Sequence, residues 1–200
     1  MAQYAGLSMT NIRILLALAT ATALTPAAVI SFDDRVDGNV ITTQYPDVTF
    51  DSGTGGVIVV GIGAPAVSPP NVICGHNAGA CDALLEIRVT FSRAANNVSF
   101  WAIADNNFGV IGKVDVFAGA TLLGTSDILG DGNTSTHVLN DLSAYANVTG
   151  IRIHSITDLG GLGYDNFSFE LTAVPEPSTV GLAALGLLWC RLGRRMPTSQ

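Results

Sequence analysis

Positive charge is scarce in this chain. Only 9 of its 200 residues are Lys or Arg, against 16 Asp or Glu, and four of the nine (Arg13, Arg191, Arg194, Arg195) sit near the two ends. The stretch from Ala28 to Val174 holds 15 acidic and 5 basic residues, a net charge of −10. Such a body has no basic stripe to meet phosphates, so no nucleic acid is expected as a partner. Divalent cations and neutral glycans remain compatible with it. Catalytic motifs are missing as well. There is no GxSxG elbow, no HExxH and no phosphate loop closing on Gly-Lys-Ser. The glycines of GTGGVIVVGIGAP (53–65) lead into no helix and end in no Lys, so they read as turns and bulges. His76, His137 and His154 stand in no recognisable pattern. The chain is therefore read as not an enzyme. A glycoside hydrolase, with paired carboxylates drawn from Asp33, Asp34, Asp105 and Asp165, is the remote alternative.

What the chain does have is two apolar ends. Arg13 precedes ILLALATATAL (14–24), and the small residues of TPAA (25–28) follow. A basic start, a short apolar core and a small-residue exit predict a signal peptide over 1–27, cut by signal peptidase. The competing reading is a buried core helix, since runs of this length serve either purpose. Near the other end, VPEPSTVGLAALGLLWCRLGRR (174–195) sets Pro175, Glu176 and Pro177 before an apolar run from Thr179 to Cys190. Twelve residues fall short of the roughly 20 that span a bilayer comfortably. The prolines keep the segment before the run extended. Arg191, Arg194 and Arg195 form a basic stop on the cytoplasmic side. An accessible motif, a weak membrane helix and a basic stop together make a sorting signal, like others whose apolar tail is removed. A plain tail anchor, or a linker and core helix, is the alternative.

This tail resembles the sorting segment of PEP-CTERM proteins. The resemblance implies export, a membrane-tethered intermediate, processing by exosortase, and delivery to the cell surface or exopolysaccharide matrix of a Gram-negative bacterium.

Between the ends the pattern has period two. ALLEIRVTFS (83–92) puts Leu85, Ile87, Val89 and Phe91 on one face, as a half-buried antiparallel strand does. Arg93-Ala94-Ala95 then predicts a turn into NNVSFWAIA (96–104), and Gly119-Ala120 a second hairpin between 113–119 and 121–128. Further strands are expected at 29–33, 47–52, 56–63, 135–141, 149–156 and 163–171. About ten short strands without an amphipathic helix predict an all-β, two-sheet antiparallel sandwich over 28–172. ISFDD (30–34), QYPDVTFDSG (44–53), VSFWA (98–102), DVFAGATLLGTS (115–126) and GYDNFSFE (163–170) resemble the jelly-roll, galactose-binding-like domains often attached to such tails.

Candidate binding residues are few. Cys74 and Cys81 flank a Gly- and Asn-rich stretch, read as a loop pinned by a disulfide in an oxidising compartment. The alternative is a zinc site of Cys74, His76 and Cys81, which lacks a fourth ligand. Asp33 and Asp34 close the first strand and Asp165 opens the last. If those strands lie side by side, the three carboxylates can converge on calcium, which takes six to eight oxygens. The resemblance of GYDNF to calcium-binding carbohydrate modules implies the same. The alternative is that all three cap turns. Trp101 lies on the face opposite Phe100, and Tyr45, Tyr145 and Tyr164 near strand ends are read as candidates for an exposed sugar platform. The composite expectation is a structural or adhesive protein of exopolysaccharide or biofilm. A carbohydrate-binding module with a specific glycan is its alternative.

Overall fold

The computed structural model describes residues 27–63, 65–103 and 105–173. The expected signal peptide, sorting motif, apolar helix and basic stop lie outside the described residues. Among the described residues all twelve elements are strands: β1 Ala28–Ile30, β2 Val40–Ile41, β3 Val48–Asp51, β4 Val57–Gly61, β5 Asn71–Asn77, β6 Ala80–Cys81, β7 Ile87–Ile103, β8 Phe108–Ala118, β9 Thr121–Asp131, β10 His137–Asp141, β11 Val148–His154 and β12 Gly163–Leu171. Every pairing is antiparallel. The described body is therefore all-β, as the alternation predicts, and no helix among the described residues is long and apolar enough to cross a membrane.

The organising element is β7, 17 residues long. Its first half pairs with β3 on one side and β11 on the other, with Phe50 opposite Val89 and Val89 opposite Ile151. Beyond β11 lie β8 and then β9. Its second half pairs with β10 and β12, with Phe100 opposite Asn140 and Trp101 opposite Asp165. On the far side of β12 lie β1 and β5, followed by β4 and β2. One strand thus belongs to two layers. The hairpin expected at Arg93-Ala94-Ala95 does not form. Ala95 is fully buried with Leu171 and Val148 as its partners, so the ladder continues through the small residues instead of turning. The change of layer falls at register shifts, where Asn97 and Asn166 adopt φ of 52° and 48°. Asn tolerates that left-handed geometry better than most side chains, and bulges are where strands bend.

The layers close on an aromatic core. Phe167 of β12 stacks on Phe100 of β7 at 5.3 Å and meets Phe50 of β3 edge-on at 5.4 Å and Phe32 at 6.0 Å. Phe50 belongs to one layer and Phe167 to the other, so this contact is where the two layers meet. Around it pack Val89, Val114, Val116, Ile151 and Ile153. The alternation of β7, β8 and β11 sends these residues inward and their sequence neighbours out.

Cys74 departs from the sequence reading. It sits in β5, buried, and not in a loop. The turn at Ala78 and Gly79, both with positive φ, closes a β5–β6 hairpin, and the Cys74–Cys81 disulfide staples it. With the two thiols joined, the alternative zinc set loses two of its three ligands.

Candidate functional site

The outer faces of β3, β7, β11, β8 and β9 carry one row of cross-strand partners: Asp51, Arg88, Arg152, Asp115 and Thr125. Two arginines directly opposite would repel. Two carboxylates keep them together. Glu86 accepts from Arg88 Nε at 2.5 Å and lies 3.8 Å from Arg152 Nη1. Asp115 accepts from Arg152 Nη2 at 2.6 Å and from the Thr125 hydroxyl at 2.6 Å, with His154 Nε2 3.2 Å away. Burial works against the Asp115 charge, yet the bonds from Thr125, Arg152 and His154 prevail and hold its carboxyl below the usual range.

Two residues along β3, β7, β11 and β8, on the same face, the row is Thr49, Thr90, Gly150 and Phe117, with Leu122 opposite Phe117 across a register shift. Gly150 has no side chain, and a Cβ there would come within 2.9 Å of the Val89 carbonyl. The result is a groove of about 460 Å³ over Gly150, walled by Arg88, Thr90, Phe117, Thr149 and Arg152. Thr149 Oγ1 accepts from the Gly119 backbone at 2.7 Å and donates to the Phe117 carbonyl at 3.3 Å, which pins the β8–β9 turn at the groove's end. Phe117 is half-buried and its partner Leu122 is exposed. One wall is therefore apolar and the other offers guanidinium and hydroxyl groups.

The residues singled out from sequence lie elsewhere. Asp165 is fully buried, beside β7. Its oxygens accept from Asn166 N at 2.7 Å, Ser68 N at 2.9 Å and Ser68 Oγ at 3.2 and 3.3 Å. Burial pushes its carboxyl above the usual range, against those bonds, and the Asp33 charge adds to the push. Asp33 accepts from Asn71 N at 3.2 Å. Asp34 is turned to Tyr45, whose hydroxyl donates at 2.5 Å, and to Arg35 at 3.2 Å. Asp165 thus feels the Asp33 charge, and Asp34 is engaged with other partners. Among the described residues no three His, Cys, Asp or Glu gather as metal ligands. With Asp34 engaged by Tyr45 and Arg35, and Asp165 by Ser68 and Asn166, the three carboxylates as folded do not converge on one point.

Trp101 stands edge-on to His137 at 6.3 Å and is half-buried on the outer face of the second layer. Tyr164 corrects the expectation of an exposed platform. It is 1% exposed, packed against Phe100, because its parity in β12 points it inward. Tyr45 and Tyr145 also pack against the core. Asp105 is buried too, accepting from Gly132 N at 2.7 Å with its other oxygen unpartnered. Burial raises its carboxyl, and the charges of Asp131 and Asp158 add to that. A carboxyl raised in the folded state costs stability once pH exceeds its unfolded value of about 4. Asp105→Asn is therefore expected to raise the melting temperature at pH 7. The gain should vanish below about pH 4, where the parent's Asp105 is itself protonated. Thermal melts of both proteins across pH check this.

The sorting signal lies beyond this body. The family model described as the PEP-CTERM protein-sorting motif matches residues 173–195. The chain carries a PEP-CTERM sorting motif. Pro175, Glu176, Pro177 and the three arginines fall within the match. The motif marks an exported protein that passes through a C-terminally membrane-anchored intermediate. By sequence, no curated protein matches the chain. Among solved structures, the chain is similar to the K2 cleaved adhesin domain of Lys-gingipain (14% identity, covering 72% of this chain and 99% of that one, TM-score 0.46). It is similar to a family 35 carbohydrate-binding module from Clostridium thermocellum (10%, 72% and 97%, 0.40). It is also similar to the K1 cleaved adhesin domain of Lys-gingipain from Porphyromonas gingivalis W83 (10%, 74% and 99%, 0.40). At such identities and superposition scores these likenesses speak to neither ligand nor role. The PEP-CTERM motif marks the chain for export, and the groove combines an aromatic ring with guanidinium and hydroxyl groups.

Proposed function

We propose that the body is a saccharide-binding unit whose groove along β7, β11 and β8 holds a stretch of glycan chain. The exported protein then serves as an adhesive component of the extracellular polysaccharide of a Gram-negative bacterium, without catalysis. Signal peptidase and exosortase are its processing partners. One observation carries the reading: the Phe117 ring faces guanidinium and hydroxyl groups across one groove. Sugar rings have an apolar C–H face and a polar rim, so a wall of each kind suits them. A volume of about 460 Å³ lies within the range of small-molecule sites and suits a few sugar units.

Affinity electrophoresis of the purified protein through gels containing different polysaccharides tests this. At least one polysaccharide is expected to retard the protein, and Phe117→Ala to weaken that binding about three- to tenfold. Absence of retardation by every polysaccharide, or undiminished binding by Phe117→Ala, would count against the groove.

A further inference from the structure

The groove's donors define a narrower ligand. The body has only 5 basic residues, and two of them, Arg88 and Arg152, line this one groove. They are not equivalent. Arg152 is engaged through both terminal nitrogens, by Glu86 and Asp115, while its Nε is buried without a partner. Arg88 is the reverse. Its side chain is 57% exposed, its Nε is held by Glu86, and its two terminal nitrogens have no acceptor among the described residues. The planar Nη1–Nη2 edge of a guanidinium matches the two oxygens of a carboxylate. Glu86 fixes the side chain by its Nε and so leaves that edge presented.

We propose that the saccharide bound in this groove carries carboxylates. Its uronic-acid units are selected by the Nη1–Nη2 edge of Arg88, while Phe117 takes the apolar face of a ring. This rests on the glycan-binding reading of the same groove. Overall charge does not oppose it at close range. The −10 of the body repels a polyanion at a distance, but about 0.15 M salt shortens that repulsion to roughly 8 Å. A direct fork contact is screened far less. A neutral ligand would leave the exposed Arg88 edge without a charged acceptor.

Masking the carboxylate while keeping the sugar isolates this contact. The full-length protein is titrated calorimetrically in 0.15 M salt with oligomers of galacturonate, glucuronate and mannuronate, and with the methyl ester of each. At least one acid oligomer is expected to bind about tenfold or more tightly than its ester, and Arg88→Gln to bind that acid correspondingly less well. Arg88 is exposed enough for the substitution to leave the fold intact, which the melting temperature verifies. Equal binding of acid and ester overturns the uronate inference and leaves the saccharide groove standing, as does binding of neutral oligosaccharides alone. Failure of every acid, ester and neutral oligosaccharide overturns both. An acid preference that persists unchanged in Arg88→Gln also overturns the inference, because the carboxylate is then read elsewhere.

Discussion

Phe167→Ala is expected to cost about 3–5 kcal/mol, the range for removing a large aromatic from a packed core. The ring is 2% exposed and touches Phe100, Phe50 and Phe32. Those partners come from both layers and from the segment after β1. None can move into the space left behind without abandoning another contact. Phe32 is the most constrained of them, since its backbone is held at a φ of 63°. Small domains have total stabilities of about 5–15 kcal/mol, so this single substitution removes a large share. Urea unfolding of the two proteins measures it. A loss under about 1 kcal/mol would mean that the layers do not depend on this contact.

Asp115→Ala is expected to cost about 2–3 kcal/mol at pH 7, from bonds to charged partners that lose their acceptor. Its carboxylate lies under the Arg152 guanidinium with Thr125 and His154 as further partners, and only 7% of the residue is exposed. Without it, Arg88 and Arg152 keep only Glu86 between them. The pH dependence gives a second readout. A carboxyl held below its unfolded value contributes stability that is complete above about pH 4 and is lost as pH falls through its folded value. The parent should therefore lose stability in acid more steeply than Asp115→Ala, and the two curves should converge at the lowest pH. Parallel curves would show that this charge network is not coupled to folding. Groove shape should suffer as well, because Arg152 loses its shorter ion pair.

The strands that alternate were legible in the residues. GYDNFSFEL coincides with β12, and the Gly119-Ala120 turn joins β8 to β9 as its period-two flanks imply. β5 was not legible. Asn71 through Gly75 are all buried, so their side chains show no period, and the Gly and Asn that follow read as loop. The segment at 93–95 misled because small residues suit a turn and a crowded crossing equally well. The groove was hidden for a different reason. Arg88 and Arg152 are far apart in the chain and become neighbours only through the register of β7 and β11. Phe117 carried a usable signal, an aromatic at the solvent parity of a strand whose Val114 and Val116 point inward. Trp101 and the tyrosines drew attention by residue type, whereas the tyrosines' packing inward followed from position. The three aspartates do not gather as a metal site, because Tyr45 and Arg35 engage Asp34 and Ser68 and Asn166 engage Asp165.

The sharing of β7 between layers also dictates the order in which the chain can assemble. Its partners run from β3, which starts at residue 48, to β12, which ends at residue 171, and β12 also pairs with β1, which starts at residue 28. No early portion of the chain holds a finished layer. The first hundred residues lack β10, β11 and β12, so the edges of β7 stay open until nearly the last strand has arrived. Pairings so distant along the chain form slowly. For a protein marked for export, that delay is useful: a chain that cannot close until its end appears stays threadable while it crosses the membrane.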